Sequence, residues 1–299
     1  MLKTALKVLG GLVAILLVAV GGLLVKAGVG LTKIRDVPIR PIAVVSDSSA
    51  IARGRHLATA IMKCSDCHGP DFGGRPGFVD AGPLGAVSTS NLTKGQGGQL
   101  GGYDDPTLAR TIRHAIRRDG SPILIMPAES FLTTSDADVA AVIAYLRSIP
   151  PVDRVIPPSR IKPLGRLLYA VGQLSIVPAD LVDHASPPAP DHRPEVTVEY
   201  GRYLADIGGC IGCHGPGLSG GKIPGGAPDW RPATNISPEG LKGWTEADFI
   251  TALKTGVRPN GVPIDTLMPW RFAGQMDSTE FRAVWRFLQS VPPKPYGGR

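Results

Sequence analysis

The spacing of apolar positions changes along the chain and divides it into segments. Residues 8–25, VLGGLVAILLVAVGGLLV, are an uncharged run between Lys7 and Lys26, just long enough to cross a bilayer core as one helix. Further on, SDADVAAVIAYLRS places apolar residues at 139, 142, 143 and 146, the stripe of an amphipathic helix, and Ser135 with Asp138 three positions later predicts its capped start. In DDPTLARTIRHAIRR, Pro106 suits a first helical turn and Leu108, Ile112 and Ile116 share a face; WTEADFITALKTG is its counterpart. Gly120 and Gly261 punctuate the chain after these helices. No alternating apolar run is long enough for a sheet, so the pattern predicts an all-α protein. It contains two domains of about 100 residues each, a modest size for a self-sufficient core.

Between those domains the chain is rich in proline, with an apolar insert. Leu164, Leu167 or Leu168, Val171 and Leu174 fall at helical spacing, with Lys162 and Arg166 on the opposite side. Two readings stand: a short helix packed between the domains, or a docking surface for a membrane partner or the bilayer. His184 and His192 are read as solvent-exposed linker residues. The expected division is 1–35 anchor and flank, 36–49 linker, 50–151 first domain, 152–193 interdomain linker and 194–299 second domain.

The chemistry is concentrated in two short stretches. KCSDCHGP (63–70) and GCIGCHGP (209–216) hold all four cysteines, each pair inside C-x-x-C-H. A C-x-x-C pair can be a redox dithiol, half of a zinc site, or the two thioether anchors of a c-type haem. A dithiol needs no trailing histidine, and a four-thiolate zinc site would leave His68 and His214 without a role. The expected cofactors are therefore two covalently bound haem c groups, anchored by Cys64 and Cys67 and by Cys210 and Cys213, with His68 and His214 on the irons.

The halves also repeat beyond these motifs, and a repeat defines architecture before any local assignment. TSNLTKG (89–95) matches TNISPEG (234–240), ILIMPAESF matches DTLMPWRF, and VAAVIAYLRSIPP matches FRAVWRFLQSVPP. His68 to Met126 is 58 residues and His214 to Met268 is 54, while each methionine precedes its matching proline, Pro150 or Pro292, by 24. A methionine in an apolar stretch is ordinarily core filler. Matched positions, each before a proline, favour Met126 and Met268 as second axial ligands. Met62 is too close to Cys64 to reach round a ring, Met1 is the start, Met276 is the alternative at the second site and His114 at the first. Asn91 and Asn235 either steady the haem or methionine loop or serve as turn-formers.

The formal charge of +7 does not point to nucleic acid. Residues 1–49 hold six Lys/Arg against two Asp/Glu, whereas residues 50–150 hold ten against nine and 194–299 eleven against ten. The excess belongs to the membrane flank. A cleaved signal peptide is the rival to an uncleaved anchor, but VKAGVG offers a poor cleavage site. Lys26, Lys33 and Arg35 blur the positive-inside comparison with Lys3 and Lys7; covalent haem attachment places the domains on the exported side.

These residues resemble the class I cytochromes c, more narrowly the membrane-anchored dihaem cytochromes c, including the cytochrome subunits of membrane-bound alcohol and sugar dehydrogenases. The resemblance covers roughly 50–151 and 195–293. It implies that the first helix of each domain crosses the last, with Gly54 and Gly201 approaching Tyr145 and Phe287. The expected function is a membrane-tethered dihaem carrier at the bacterial inner membrane, haem domains in the periplasm. It would pass electrons between a quinol- or substrate-oxidising complex, such as a membrane dehydrogenase, and an oxidase, reaction centre or soluble cytochrome. Histidine and methionine on both irons leave no open position for substrate, and methionine raises the potential. The rival is a dihaem enzyme, a peroxidase or thiosulfate-oxidising cytochrome, with one labile ligand. The haems should supply much of the apolar interior, and the clustering of all four tryptophans in the second half hints at a more enclosed second haem.

Overall fold

The computed structural model describes residues 2–227 and 229–298; Met1, Pro228 and Arg299 lie outside the described residues. Helix α1 (Leu2–Thr32) contains the apolar run and is exposed around its whole circumference over residues 2–19. It is long and apolar enough to cross a membrane.

The first repeat contains α2 (Ser48–His56), α3 (Cys64–His68), α4 (Asp105–His114), α5 (Ala128–Phe131) and α6 (Asp136–Ser148). After α7 (Pro163–Ala170) in the linker, the second repeat supplies α8 (Val198–Ile207), α9 (Cys210–His214), α10 (Glu246–Thr255), α11 (Trp270–Ala273) and α12 (Ser278–Ser290). The cap at Ser135 and the first-turn Pro106 lie where the sequence places them, and the structure adds further caps. Asp104 accepts from the Thr107 N–H with Pro106 in the first turn, and Ser135 accepts from Asp138 N–H. Thr245 and Asp277 begin full capping boxes with Asp248 and Glu280.

In each repeat the first helix crosses the last at a glycine, as the resemblance implied. A Cβ on Gly54 would run into the Ala141 carbonyl and lie 2.9 Å from Tyr145 Cβ; one on Gly201 would meet the Ala283 carbonyl and lie 2.9 Å from Phe287 Cβ. The π-helical turn Leu57–Ile61 has no equivalent among the described residues of the second repeat. Cys64 follows Gly54 by ten positions and Cys210 follows Gly201 by nine; the π turn absorbs the extra residue, as such bulges do near functional sites.

The all-α expectation needs correction. A small antiparallel sheet of order β1-β2-β3 joins β1 (Arg75–Asp80), β2 (Gly85–Thr89) and β3 (Arg160–Ile161). Its strands are short, β1 and β2 are offset by a bulge, and β3 comes from the linker. β2 alternates in burial, but its residues, GAVST, do not alternate between apolar and polar types, and no strand is long. The second repeat reduces this hairpin to one bridge, Gly221 with Ala233.

The linker helix is also elsewhere than between the domains. It packs on the end of α1 and against the first repeat: Lys26 Nζ donates to the Ala170 carbonyl at 2.8 Å, Tyr169 lies over Gly30, and Lys162 N–H donates to the Leu84 carbonyl at 3.0 Å. Nor are the linker histidines free in solvent. His184 and His192 are both half-buried; His184 Nδ1 is 3.0 Å from His114 Nδ1, and the His192 ring lies 4.5 Å from that of Tyr203.

The two repeats share one hydrophobic core, in which Leu57, Val139 and Ile143 of the first are continuous with Tyr200, Leu204 and Phe281 of the second. A second, smaller cluster of Val37, Ile116, Ile176 and Val177 ties the segment after α1 to the linker.

Candidate functional site

Each C-x-x-C-H sequence forms a five-residue helix of the same build. The residue before the first cysteine is left-handed, Lys63 at φ 55° and Gly209 at φ 72°, and the residue after the histidine is a glycine at φ 82° or 81°. Glycine adopts such angles without strain, whereas Lys63 does not. The helix is then wrapped by parallel hydrogen bonds. Gly74 N–H donates to His68 O and Gly220 N–H to His214 O, while Leu92 and Ile236 N–H donate to the Phe72 and Leu218 carbonyls.

The histidines are oriented by the loop that follows. His68 Nδ1 lies 2.8 Å from the Ser90 carbonyl, and His214 Nδ1 lies 2.7 Å from that of Thr234. A carbonyl partner fixes the proton on Nδ1 and makes Nε2 the metal-binding nitrogen. Burial lowers the His68 pKa against this hydrogen bond, favouring the neutral ring that a metal needs.

Asn91 and Asn235 stand immediately beyond those two carbonyls. Asn91 is fully buried; its amide donates to Val152 O at 2.7 Å and its side-chain oxygen accepts from Thr93 N–H at 2.9 Å. Asn235 donates to Lys294 O at 2.8 Å and accepts from Ser237 N–H at 2.9 Å. Both close an Asx turn, as a turn-former does, and also tie the histidine-bearing loop to the segment after the last helix. Neither hydrogen-bonds the methionine loop.

Met126 and Met268 occupy matched loops. Ala128 N–H donates to Met126 O at 2.8 Å and Trp270 N–H to Met268 O at 2.7 Å, and the following prolines precede α5 and α11. Both methionines are half-buried against the same core as Cys64 and Cys210. Met276 also packs on that core, while His114 turns to His184. Ile125, just before Met126, is left-handed at φ 56°, and its N–H is held by the Ile176 carbonyl of the linker at 3.1 Å.

The donor set fits a haem c. The four cysteines form no disulfide, and burial pushes the Cys64 thiol up to about 12 and Cys67 to about 11. Burial raises the Cys210 thiol as well, opposite to the lowered pKa that marks a reactive dithiol. Trp270 Nε1, two residues past Met268, is buried without a hydrogen-bond partner, an orphan donor suited to a group that brings its own acceptors.

Sequence reasoning did not find the relation between the two turns. Lys63 Nζ donates to the Gly208 carbonyl and to Ile61 O, so the residue before Cys64 touches the approach to Cys210. Nearby, the equivalent positions of α2 and α8 reach across to the opposite repeat. His56 Nε2 lies 2.6 Å from Glu280 Oε2, and Tyr203 donates its hydroxyl to Asp138 Oδ2 at 2.8 Å. Arg53 joins both carboxylates. The only signal was the parallel between RGRH and YGRY around Gly54 and Gly201.

Two helical units, each carrying a C-x-x-C-H turn with an oriented histidine and a methionine loop, define a c-type cytochrome. The Cytochrome c family pattern matches residues 51–150 and 198–292, and the chain belongs to that family. It therefore carries covalently bound haem c. It is similar to the fructose dehydrogenase cytochrome subunit of Gluconobacter japonicus, 26% identical over 294 residues, covering 90% of this chain and 58% of the relative. The cytochrome c subunit of alcohol dehydrogenase (quinone) from Gluconacetobacter polyoxogenes is 28% identical over 285 residues, covering 84% of this chain and 58% of the relative. A diheme cytochrome c-type protein of Cereibacter sphaeroides is 27% identical over 302 residues, covering 90% and 95%. The chain thus spans little more than half the length of the two dehydrogenase subunits.

Proposed function

We propose that the chain is a membrane-tethered dihaem cytochrome c that passes electrons from a membrane-bound dehydrogenase to a downstream acceptor. Cys64 and Cys67 anchor one haem and Cys210 and Cys213 the other; His68 with Met126 and His214 with Met268 hold the irons. The haems, when bound, supply one-electron exchange. The chain's own residues supply orientation: Ser90 and Thr234 aim the histidines, Asn91 and Asn235 brace the loops that carry those carbonyls, and the shared core holds the two sites in register. Residues 50–151 and 194–299 are the two carrier domains, and α1 is an uncleaved anchor in the bacterial inner membrane with both domains in the periplasm.

The observation that carries this reading is the duplication of the whole constellation on two turns that meet through Lys63 and Gly208. That contact suits transfer between the sites within one molecule. The dehydrogenase partner is supported by the names of the relatives.

The experiment is mild solubilisation of membranes, purification through a C-terminal tag, and haem spectroscopy on what co-purifies. Two low-spin haems with methionine-sulfur charge-transfer bands, together with dehydrogenase subunits, are expected. A high-spin or bis-histidine haem would instead favour the dihaem peroxidase or thiosulfate-oxidising reading.

A further inference from the structure

The covered face of α1 begins inside the apolar run: Val20, Leu23 and Leu24 are half-buried, Ala27 is fully buried and Leu31 is half-buried. The helix packed on α1 is α7, whose C-terminal carbonyl at Ala170 receives Lys26 Nζ, the first charge after the run. This fixes the height of α7: it lies level with the end of the span. The joint is braced further, because Arg35 N–H donates to Gly120 O at 2.9 Å and Arg35 Nε to Asp180 Oδ1 at 2.9 Å.

What α7 leaves uncovered is apolar. Leu164, Val171 and Leu181 are 47%, 51% and 54% exposed, and Leu164, Leu168 and Val171 follow helical spacing along one side. Residues 160–174 include Arg160, Lys162 and Arg166 and no acidic residue, and those three cations are exposed. On α7 the apolar stripe is backed by cations on the other side of the helix, level with the end of a membrane span, while Asp180, paired with Arg35, and the exposed Asp183 stand beside Leu181; the α7 part matches the chemistry of an anionic lipid interface.

We propose that α7 and the turn after it lie in the headgroup and acyl boundary of the membrane, a second lipid contact that fixes how the first carrier domain faces the bilayer. The proposal rests on α1 being a retained anchor. Leu164, Val171 and Leu181 enter the boundary to a depth of about 5–10 Å, the range of interfacial helices, while Lys162 and Arg166, which donate to the Gly82 and Ile161 carbonyls, offer their remaining N–H groups to phosphates.

The test uses the full-length haem-loaded protein in nanodiscs of phosphatidylcholine and phosphatidylglycerol doped with a lipid bearing a diazirine near the start of its acyl chain. After photolysis, lipid adducts are mapped by peptide mass spectrometry. Adducts are expected on α1 and on residues 160–181, with the latter several-fold above residues 223–244 of the second domain. L164E/V171E should remove the linker adducts while those on α1 and the haem spectrum stay unchanged. Adducts on α1 with none on 160–181 overturn the proposal and give this face to a protein partner. Absence of adducts on α1 overturns the anchor reading, and this proposal with it.

Discussion

The imidazole of His56 lies 2.6 Å from a carboxylate oxygen of Glu280, a side chain with no solvent exposure that belongs to the other repeat. The hydrogen bond that His56 donates to Glu280 raises the His56 pKa. For Glu280, burial opposes ionisation, but the His56 hydrogen bond and charge, the Asp277 N–H and Arg53 outweigh it and the pKa is lowered. The histidine therefore stabilises the folded state fully below its ordinary 6.5 and loses that contribution as pH rises through its raised value. The glutamate contributes fully above its ordinary 4.5 and loses it as pH falls through its lowered value. Stability against denaturant should thus be greatest between those ordinary values and decline on both sides, and His56→Phe should flatten the alkaline limb.

Removing the charge by Glu280→Gln leaves His56 and Arg53 facing an uncharged amide in a buried site. Loss of one partner from a buried ion pair costs about 3–5 kcal/mol. Denaturant unfolding of the detergent-solubilised holoprotein should show a loss of that order, with both haem spectra intact at low denaturant. An unchanged midpoint would mean that the joint carries no net stability.

Gly54→Ala and Gly201→Ala place a methyl group against a backbone carbonyl in a packed crossing. Overpacking of this kind costs about 1–3 kcal/mol, occasionally more. Each should lower the thermal midpoint and the yield of haem-loaded protein, and Gly→Ser should be at least as damaging. Wild-type midpoints in the alanine variants would show that α2 and α6, or α8 and α12, cross less closely than described.

Met126→Leu and Met268→Leu keep the volume of the side chain but remove the sulfur. Under the proposed ligation each should abolish the methionine-to-iron band of one haem only and lower that haem's midpoint potential, within the about 0.8 V span that axial ligands command. Potentiometric titration of the two variants would assign both haems. Loss of the second band in Met276→Leu instead would move the ligand there.

Asn91→Ala leaves the Thr93 N–H without its acceptor in a buried loop and removes one of the two donors to the Val152 carbonyl, which keeps the Thr93 hydroxyl at 3.3 Å. Each buried group left unsatisfied costs about 1–3 kcal/mol. The variant should unfold earlier and broaden the electron paramagnetic resonance signal of the first haem, because the neighbouring Ser90 carbonyl no longer holds His68 at one angle. An unperturbed signal would reduce Asn91 to a turn-former.

Much of this architecture was legible because it is local. The C-x-x-C-H turns, the capped helix at Ser135 and the matched methionine loops depend on residues near in sequence or matched between repeats, and the crossing glycines followed from the family resemblance. The sheet was not legible, because β1 and β2 are short and bulged and β3 comes from a linker some seventy residues further on. The site of α7 was not legible either; its periodicity marks an apolar face without saying that α1 covers part of it. The joint was hidden for the same reason. Arg53 and His56 look like a polar helix face until Glu280, far along the chain, is placed opposite.

The joint has twofold character, since His56 and Tyr203 stand at equivalent positions and each reaches the third residue of the opposite closing helix. Two identical copies of one domain would have to repeat a single pair at both places. One continuous chain is free of that rule, and here an ionisable imidazole meets a carboxylate on one side where a phenol meets a carboxylate on the other. The seam is electrically lopsided. A built-in polarity between two otherwise similar redox centres is thus open to the fused protein and denied to a symmetric pair.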